Sequence, residues 1–157
     1  MSELPRAAPD FALLDQDGEK RSLQGFLSRG PVVLVFYPGD FTPVCTKQLC
    51  SYRDLGEDFR ELGVQIVGIS SDTPVKHKKF RDTYHLTFPL LSDEDKSVAK
   101  LFGATSKWLF GGVTRANFII SEKGMIVSEH VDGVPVTHQK SLELRDVLKD
   151  LKTQGVL

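Results

Sequence analysis

The chain has 157 residues, 40% of them hydrophobic and 26% charged, the size and make-up of one globular domain with a substantial core. Its 20 Lys and Arg against 21 Asp and Glu leave a formal net charge of -1, so the cationic footprint that nucleic acid or an anionic membrane demands is missing and neither is expected as a partner. No apolar run nears the ~20 residues of a bilayer span, and the stretch Met1 to Arg6 has no basic segment leading into an apolar one, so a cytoplasmic location is expected.

In chain order, Asp15-Gln16-Asp17-Gly18 signals a hairpin turn. Val32 to Tyr37 reads as an apolar strand, which the turn Pro38-Gly39-Asp40-Phe41-Thr42-Pro43 joins to a helix from Pro43 to Leu62. Gly63 stops that helix, and Val64 to Ile69 is the next strand. The short connections make this a strand, helix, strand unit with a parallel pair and a right-handed crossover. Pro74 opens a helix to Tyr84 whose Lys76, His77, Lys78, Lys79 and Arg81 read as a solvated basic face, balanced by acidic segments such as Asp93-Glu94-Asp95. A shorter helix follows from Asp95 to Phe102, and Trp108, Leu109 and Phe110 are assigned to core packing. Ala116 to Ile120 and Met125 to Val131 are strands joined by the turn Glu122-Lys123-Gly124, hence an antiparallel hairpin. Leu144, Val147, Leu148 and Leu151 recur at helical spacing and place an amphipathic helix on the sheet. No repeat or linker divides the chain, so residues 1–157 read as a single domain with an α/β, thioredoxin-like fold: a central mixed sheet flanked by helices, preceded by an N-terminal extension.

The two cysteines, Cys45 and Cys50, are too few for a secreted disulfide framework. In a reducing compartment a close pair points to redox or metal chemistry instead. Thr42 is a preferred N-cap type and Pro43 suits the first helical position, so Cys45 falls third in the helix, where free N–H groups and the positive dipole end favour a thiolate. Cys45, Leu49, Tyr52 and Phe59 form one apolar stripe, while Cys50 projects about 140° away, toward Arg53 and Glu57. In an intact helix the two Cα atoms are ~8.6 Å apart, beyond the usual disulfide limit of about 7 Å, so a bond between them requires the helix start to unwind. Taken alone, a cysteine on an apolar stripe is a small buried hydrophobe; the turn before it shifts the reading toward a nucleophile. Cys50 on spacing alone is equally an exposed incidental thiol. His77, His85, His130 and His138 have no ligand spacing with each other or with the cysteines, and neither a metal nor a cofactor is expected.

The pattern Pro38, Thr42, Cys45 after a strand resembles the peroxiredoxin active-site motif, and Thr42-Pro43-Val44-Cys45-Thr46-Lys47-Gln48-Leu49-Cys50-Ser51-Tyr52-Arg53-Asp54 is similar to the bacterioferritin comigratory protein, or peroxiredoxin Q, branch. Further blocks in the same order carry the resemblance: Ala8-Pro9-Asp10-Phe11, Gly68-Ile69-Ser70-Ser71-Asp72, Phe88-Pro89-Leu90-Leu91-Ser92-Asp93 and Arg115-Ala116-Asn117-Phe118-Ile119-Ile120. The resemblance implies a thiol peroxidase acting on hydrogen peroxide and organic hydroperoxides, recycled by thioredoxin or glutaredoxin, as a monomer or weak homodimer. By the same resemblance Cys45 is peroxidatic, Thr42 and the amides near Val44 and Cys45 hold the peroxide oxygens, Pro38 shields the thiolate, Arg115 polarises the peroxide, and Cys50 resolves the sulfenic acid as an intramolecular disulfide.

Two positions depart from the family's common pattern: Gln48 stands for a glutamate and Val44 for a glycine. Gln48 keeps hydrogen-bonding capacity without the charge, and Val44 adds bulk beside the peroxide path. Other classes fit less well. A disulfide reductase needs Cys-x-x-Cys, whereas four residues separate these thiols, and a cysteine phosphatase needs an arginine where Ser51 stands. The non-enzymatic alternative is a thioredoxin-fold binding module with incidental thiols.

Overall fold

The computed structural model describes residues 3–106, 111–132 and 141–157. The chain begins with β1 (Arg6–Ala7), β2 (Ala12–Leu14), β3 (Lys20–Ser22) and the short helix α1 (Leu23–Leu27). Next come β4 (Val32–Phe36), α2 (Pro43–Asp54), α3 (Gly56–Glu61), β5 (Gln65–Ser70), α4 (Pro74–Tyr84) and β6 (Leu90–Ser92). The remainder comprises α5 (Ser97–Phe102), β7 (Thr105–Ser106), β8 (Gly112–Val113), β9 (Ala116–Ile120), β10 (Met125–Val131) and α6 (Ser141–Thr153).

Eight strands form one mixed sheet in the order β1-β10-β9-β4-β5-β6-β2-β3, and β7 with β8 makes a separate small ribbon. The β4/β5 pair is parallel and β9/β10 antiparallel, as the connection lengths predict. Every residue of β4 is buried, because helices cover both faces of the sheet. Alternate residues sort into two cores. Val32, Leu34 and Phe36 pack with residues of α1 and α5, while Val33, Val35 and Tyr37 pack with residues of α2, α3, α4 and α6. Leu144 and Leu148 are the fully buried face of α6, as its periodicity requires. This is the expected thioredoxin-like α/β architecture.

The predicted helix from Pro43 to Leu62 is two helices. Leu55 leaves helical geometry (φ −95, ψ 15) ahead of Gly56, a weak helix former, yet Phe59 N–H still reaches the Leu55 carbonyl at 3.1 Å. The break is a kink, and Tyr52 and Phe59 stay buried on one stripe across it. The helix predicted from Asp95 starts at Ser97: Lys96 takes φ +62, and the Asp93 carboxylate accepts from Val98 and Ala99 N–H at 3.1 and 2.8 Å. Asp93 thus caps the helix, and Asp95 accepts from the Ser97 N–H at 3.0 Å. The assignment of Trp108, Leu109 and Phe110 to the core lies outside the described residues.

Candidate active site at the start of helix α2

The turn between β4 and α2 is pinned from beneath. Tyr37 OH donates to Asp40 Oδ1 at 2.6 Å, Asp40 Oδ2 lies 2.6 Å from His77 Nδ1, and the Asp40 N–H donates to Asp72 Oδ2 at 2.7 Å. Ser70 and Lys76 also donate to Asp72, at 2.8 and 2.9 Å. The turn can then carry an unfavourable residue. Phe41 sits at φ +64, a conformation that costs an L-residue roughly 1–2 kcal/mol, and its ring settles on Phe80 and Tyr84 with centroids 5.0 and 6.1 Å away.

Thr42 occupies the N-cap position in extended conformation, but its side chain makes no capping bond. That expectation is corrected: the hydroxyl donates to the Gly39 carbonyl at 2.9 Å, bracing the turn. The first helical bond runs from Thr46 N–H to the Thr42 carbonyl at 2.8 Å. Pro43 has no N–H, so the amides of Val44 and Cys45 are the free donors of the helix start. Cys45 is fully buried as the third helical residue, on the stripe that continues through Leu49, Tyr52 and Phe59.

Arg115, 70 positions along the chain, brings its Nη2 to 3.4 Å from Cys45 Sγ. Strand register explains the meeting. The antiparallel pair Phe36↔Ala116 sets Arg115 just beyond the end of β4, on the edge of the sheet from which α2 departs. Asp132 N–H donates to the Arg115 carbonyl at 2.9 Å, so β10 fixes the arginine's backbone from its other side. Arg115 is buried, and its Nε and Nη1, with Gln48 Oε1, have no hydrogen-bond partner among the described residues. Buried polar groups left in this state are suited to a bound oxygen ligand. Gln48 Nε2 reaches Tyr52 OH at 3.4 Å, and burial pushes the Tyr52 phenol up to about 12, which keeps it neutral.

Cys50 lies on the half-buried flank of the intact helix, and both thiols are free. Burial pushes the Cys50 thiol up. Pro38 is half-buried where the chain leaves β4, and Val44 is half-buried at the helix start. The structure therefore joins Cys45 with Arg115 directly, places Thr42 three residues ahead of the thiol, and leaves Cys50 apart from it.

The Asp40–His77 pair is the part of this neighbourhood that the sequence reading missed. Lys76, Lys78 and Lys79 form the solvated face expected of α4, but His77 is fully buried. The signal was the spacing of His77, Phe80 and Tyr84, an inward stripe at i, i+3 and i+7 inside a run of charges. Potential ligand atoms of Asp40, Asp72 and His77 lie within 4.8 Å of one another. All three are already committed, since His77 Nε2 meets the Leu91 carbonyl at 3.0 Å and the carboxylates are taken up as described. This donor set holds the turn together, and hydrogen bonds account for it without a metal.

Comparison with known proteins gives the family and the fold. Residues 5–129 match the model of the AhpC/TSA family. A chloroplastic peroxiredoxin Q of Populus jackii is 45% identical over 122 residues, 77% of this chain and 56% of that protein, so the chain spans about half the length of the curated plant relatives it matches. The crystal structure of the peroxidoxin BcpB from Mycobacterium tuberculosis superposes with a TM-score of 0.82 at 35% identity, covering 95% of this chain and 96% of that one. The bacterioferritin comigratory protein of Xanthomonas campestris, studied for its alkyl peroxide reduction, gives a TM-score of 0.77 at 28% identity over 92% and 91% of the two chains. With a cysteine at a helix start, an arginine on its sulfur and a family match across most of its length, the chain belongs to the AhpC/TSA family and shares its peroxiredoxin fold.

Proposed function

We propose that the chain is a thiol peroxidase that reduces hydrogen peroxide and organic hydroperoxides. The observation that carries the reading is the 3.4 Å approach of Arg115 Nη2 to Cys45 Sγ at the mouth of α2. The Cys45 thiolate attacks one peroxide oxygen, the O–O bond breaks, and the second oxygen leaves as water or an alcohol once protonated. Sulfur keeps the first oxygen as a sulfenic acid. The Arg115 fork and the amides of Val44 and Cys45 are the donors available for charge growing on the departing oxygen. The Thr42 hydroxyl, which spends its hydrogen on Gly39, retains lone pairs to accept from the peroxide O–H. Pro38 shields the thiolate at the strand exit.

Cys50 then attacks the sulfenic sulfur, forming the Cys45–Cys50 disulfide and releasing water. A thioredoxin-type dithiol, thioredoxin or glutaredoxin, returns the two electrons. Because α2 holds the thiols ~8.6 Å apart at the Cα atoms, its first turns must open for this step. Both thiols lie on one helix, so a monomer or weak homodimer suffices, and the cycle suits a reducing compartment such as the cytoplasm.

The test is intact mass of the fully reduced protein seconds after mixing with equimolar hydrogen peroxide. Loss of two hydrogens supports the proposal. A protein that stays reduced on that timescale overturns it and leaves a binding module.

A further inference from the structure

A cavity of about 360 Å³ is lined by Tyr52 near the C-terminal end of α2 and by Val64 to Val67 at the start of β5. It opens because β5 and β6 pair only from Gly68↔Leu90 onward, so Val64 to Val67 and the segment from Thr87 to Pro89 form opposite walls at the lower end of the sheet. Four arginines line it, Arg21, Arg29, Arg60 and Arg81, and no carboxylate does. In a chain of net charge -1, that is a local excess of one sign.

Nearby acids cancel only part of the excess. Arg21 is paired with Asp15 at 3.2 Å and stacks over the Phe26 ring at 4.5 Å. Among the described residues Arg60 pairs with Glu57 alone, at 4.0 Å with both side chains more than four-fifths exposed, so the pair contributes little. Arg81 donates Nε to the Phe88 carbonyl at 3.1 Å and feels Asp17, which is itself paired with Lys78 at 3.3 Å. Arg29 makes no side-chain ion pair or hydrogen bond among the described residues. A cleft lined by one sign focuses the field within it and draws in counter-ions, and guanidinium forks match phosphate oxygens in pairs. Phe26, Phe59 and Phe88 border the cavity as nearly buried rings, with Phe26 beneath Arg21, and Val64, Ile66 and Val67 add aliphatic wall.

From this we infer that the cavity binds a small organic phosphate, the anionic group between Arg29 and Arg81 and the organic part filling the rest of the volume. The volume is at the small end of ligand sites and suits a molecule of mononucleotide size. This site stands apart from the thiol and does not depend on the peroxidase reading.

The experiment is an NMR titration of the reduced full chain at low salt with adenosine diphosphate, and in parallel with sodium pyrophosphate, following backbone amides and arginine Nε–Hε signals. Saturable shifts at Gly56, Val64 and the Arg29 and Arg81 side chains are expected with the diphosphate. Arg29→Gln, an exposed change that leaves the fold intact, should weaken binding about tenfold, and adding Arg81→Gln should weaken it further. Pyrophosphate should bind more weakly than the nucleotide. Absence of saturable shifts, shifts confined to the start of α2, or unchanged affinity in Arg29→Gln would each overturn the site. Equal affinity for pyrophosphate would overturn a role for the organic part of the ligand.

Discussion

Asp40 Oδ2 and His77 Nδ1 lie 2.6 Å apart with both side chains sealed from solvent. His77 Nε2 meets the Leu91 carbonyl at 3.0 Å, so both ring nitrogens are engaged. The pair fixes the turn that delivers Thr42 and Cys45. His77→Leu would leave Asp40 buried with one donor fewer, so a loss of about 3–5 kcal/mol in urea denaturation is expected. Tyr37→Phe removes only the donor to Oδ1 and should cost about 1–2 kcal/mol. Equal losses in the two variants would show that the His77 contact is no stronger than an ordinary hydrogen bond.

Arg115→Met should lower the second-order rate of Cys45 oxidation by about 10²–10³, the usual consequence of losing one positioned donor to a developing oxyanion. Stopped-flow fluorescence or competition kinetics would read this, with circular dichroism confirming the fold. Arg115→Lys should recover only part of the rate, because a point charge replaces a planar fork. Full activity in Arg115→Met would remove the arginine from the chemistry.

How far the site was legible follows from sequence distance. The Val32 to Tyr37 run, the Pro43 helix start and the Cys45, Leu49, Tyr52 stripe are local patterns, and each stands where periodicity puts it. The Arg115 contact is set by the β4/β9 register, which no local pattern encodes; only the resemblance pointed to it. The Thr42 hydroxyl was assigned to capping because residue type gives the preference, whereas the folded turn offers it a nearer acceptor at Gly39. His77 was hidden by the charges around it. Two-residue β1 and three-residue β6 exist through their sheet partners rather than through strand propensity.

Cys50→Ser should trap the sulfenic acid: after one equivalent of peroxide the variant gains one oxygen where the parent loses two hydrogens. Excess peroxide should then carry the variant on to the sulfinic acid sooner than the parent, since no second thiol intercepts the first product. A variant that still loses two hydrogens would mean that Cys50 is not the resolving thiol.

Asp72 ties pH to stability. Burial pushes its carboxyl up, but the Asp40 N–H, Lys76 and the Ser70 hydroxyl together outweigh burial and hold it below the usual carboxylate range. A group depressed in the folded state contributes its stability above the unfolded value, roughly 3.9, and loses it as pH falls through the folded one. Asp72→Asn should therefore be less stable than the parent at neutral pH, and the gap should narrow from about pH 5 downward. Chemical denaturation across that range is the measurement; a gap independent of pH would assign the effect to packing.

Gly68 marks where the sheet tolerates no side chain. A Cβ there would lie 2.8 Å from Leu90 Cδ2 and 3.3 Å from Tyr37 Cε1, in the core that carries Cys45. Its φ is not in the left-handed region, so backbone freedom does not explain the glycine; the neighbours' volume does. Gly68→Ala is expected to cost about 1–3 kcal/mol by overpacking. Leu90→Val, which shortens the nearer neighbour, should recover part of that loss when combined with it, because the two positions share one space. Should the double variant lose the sum of both single losses, the crowding at Leu90 is not the cause. Pressure on Tyr37 would then be the remaining route, and it would show as a change in the hydrogen bond that Tyr37 OH donates to Asp40.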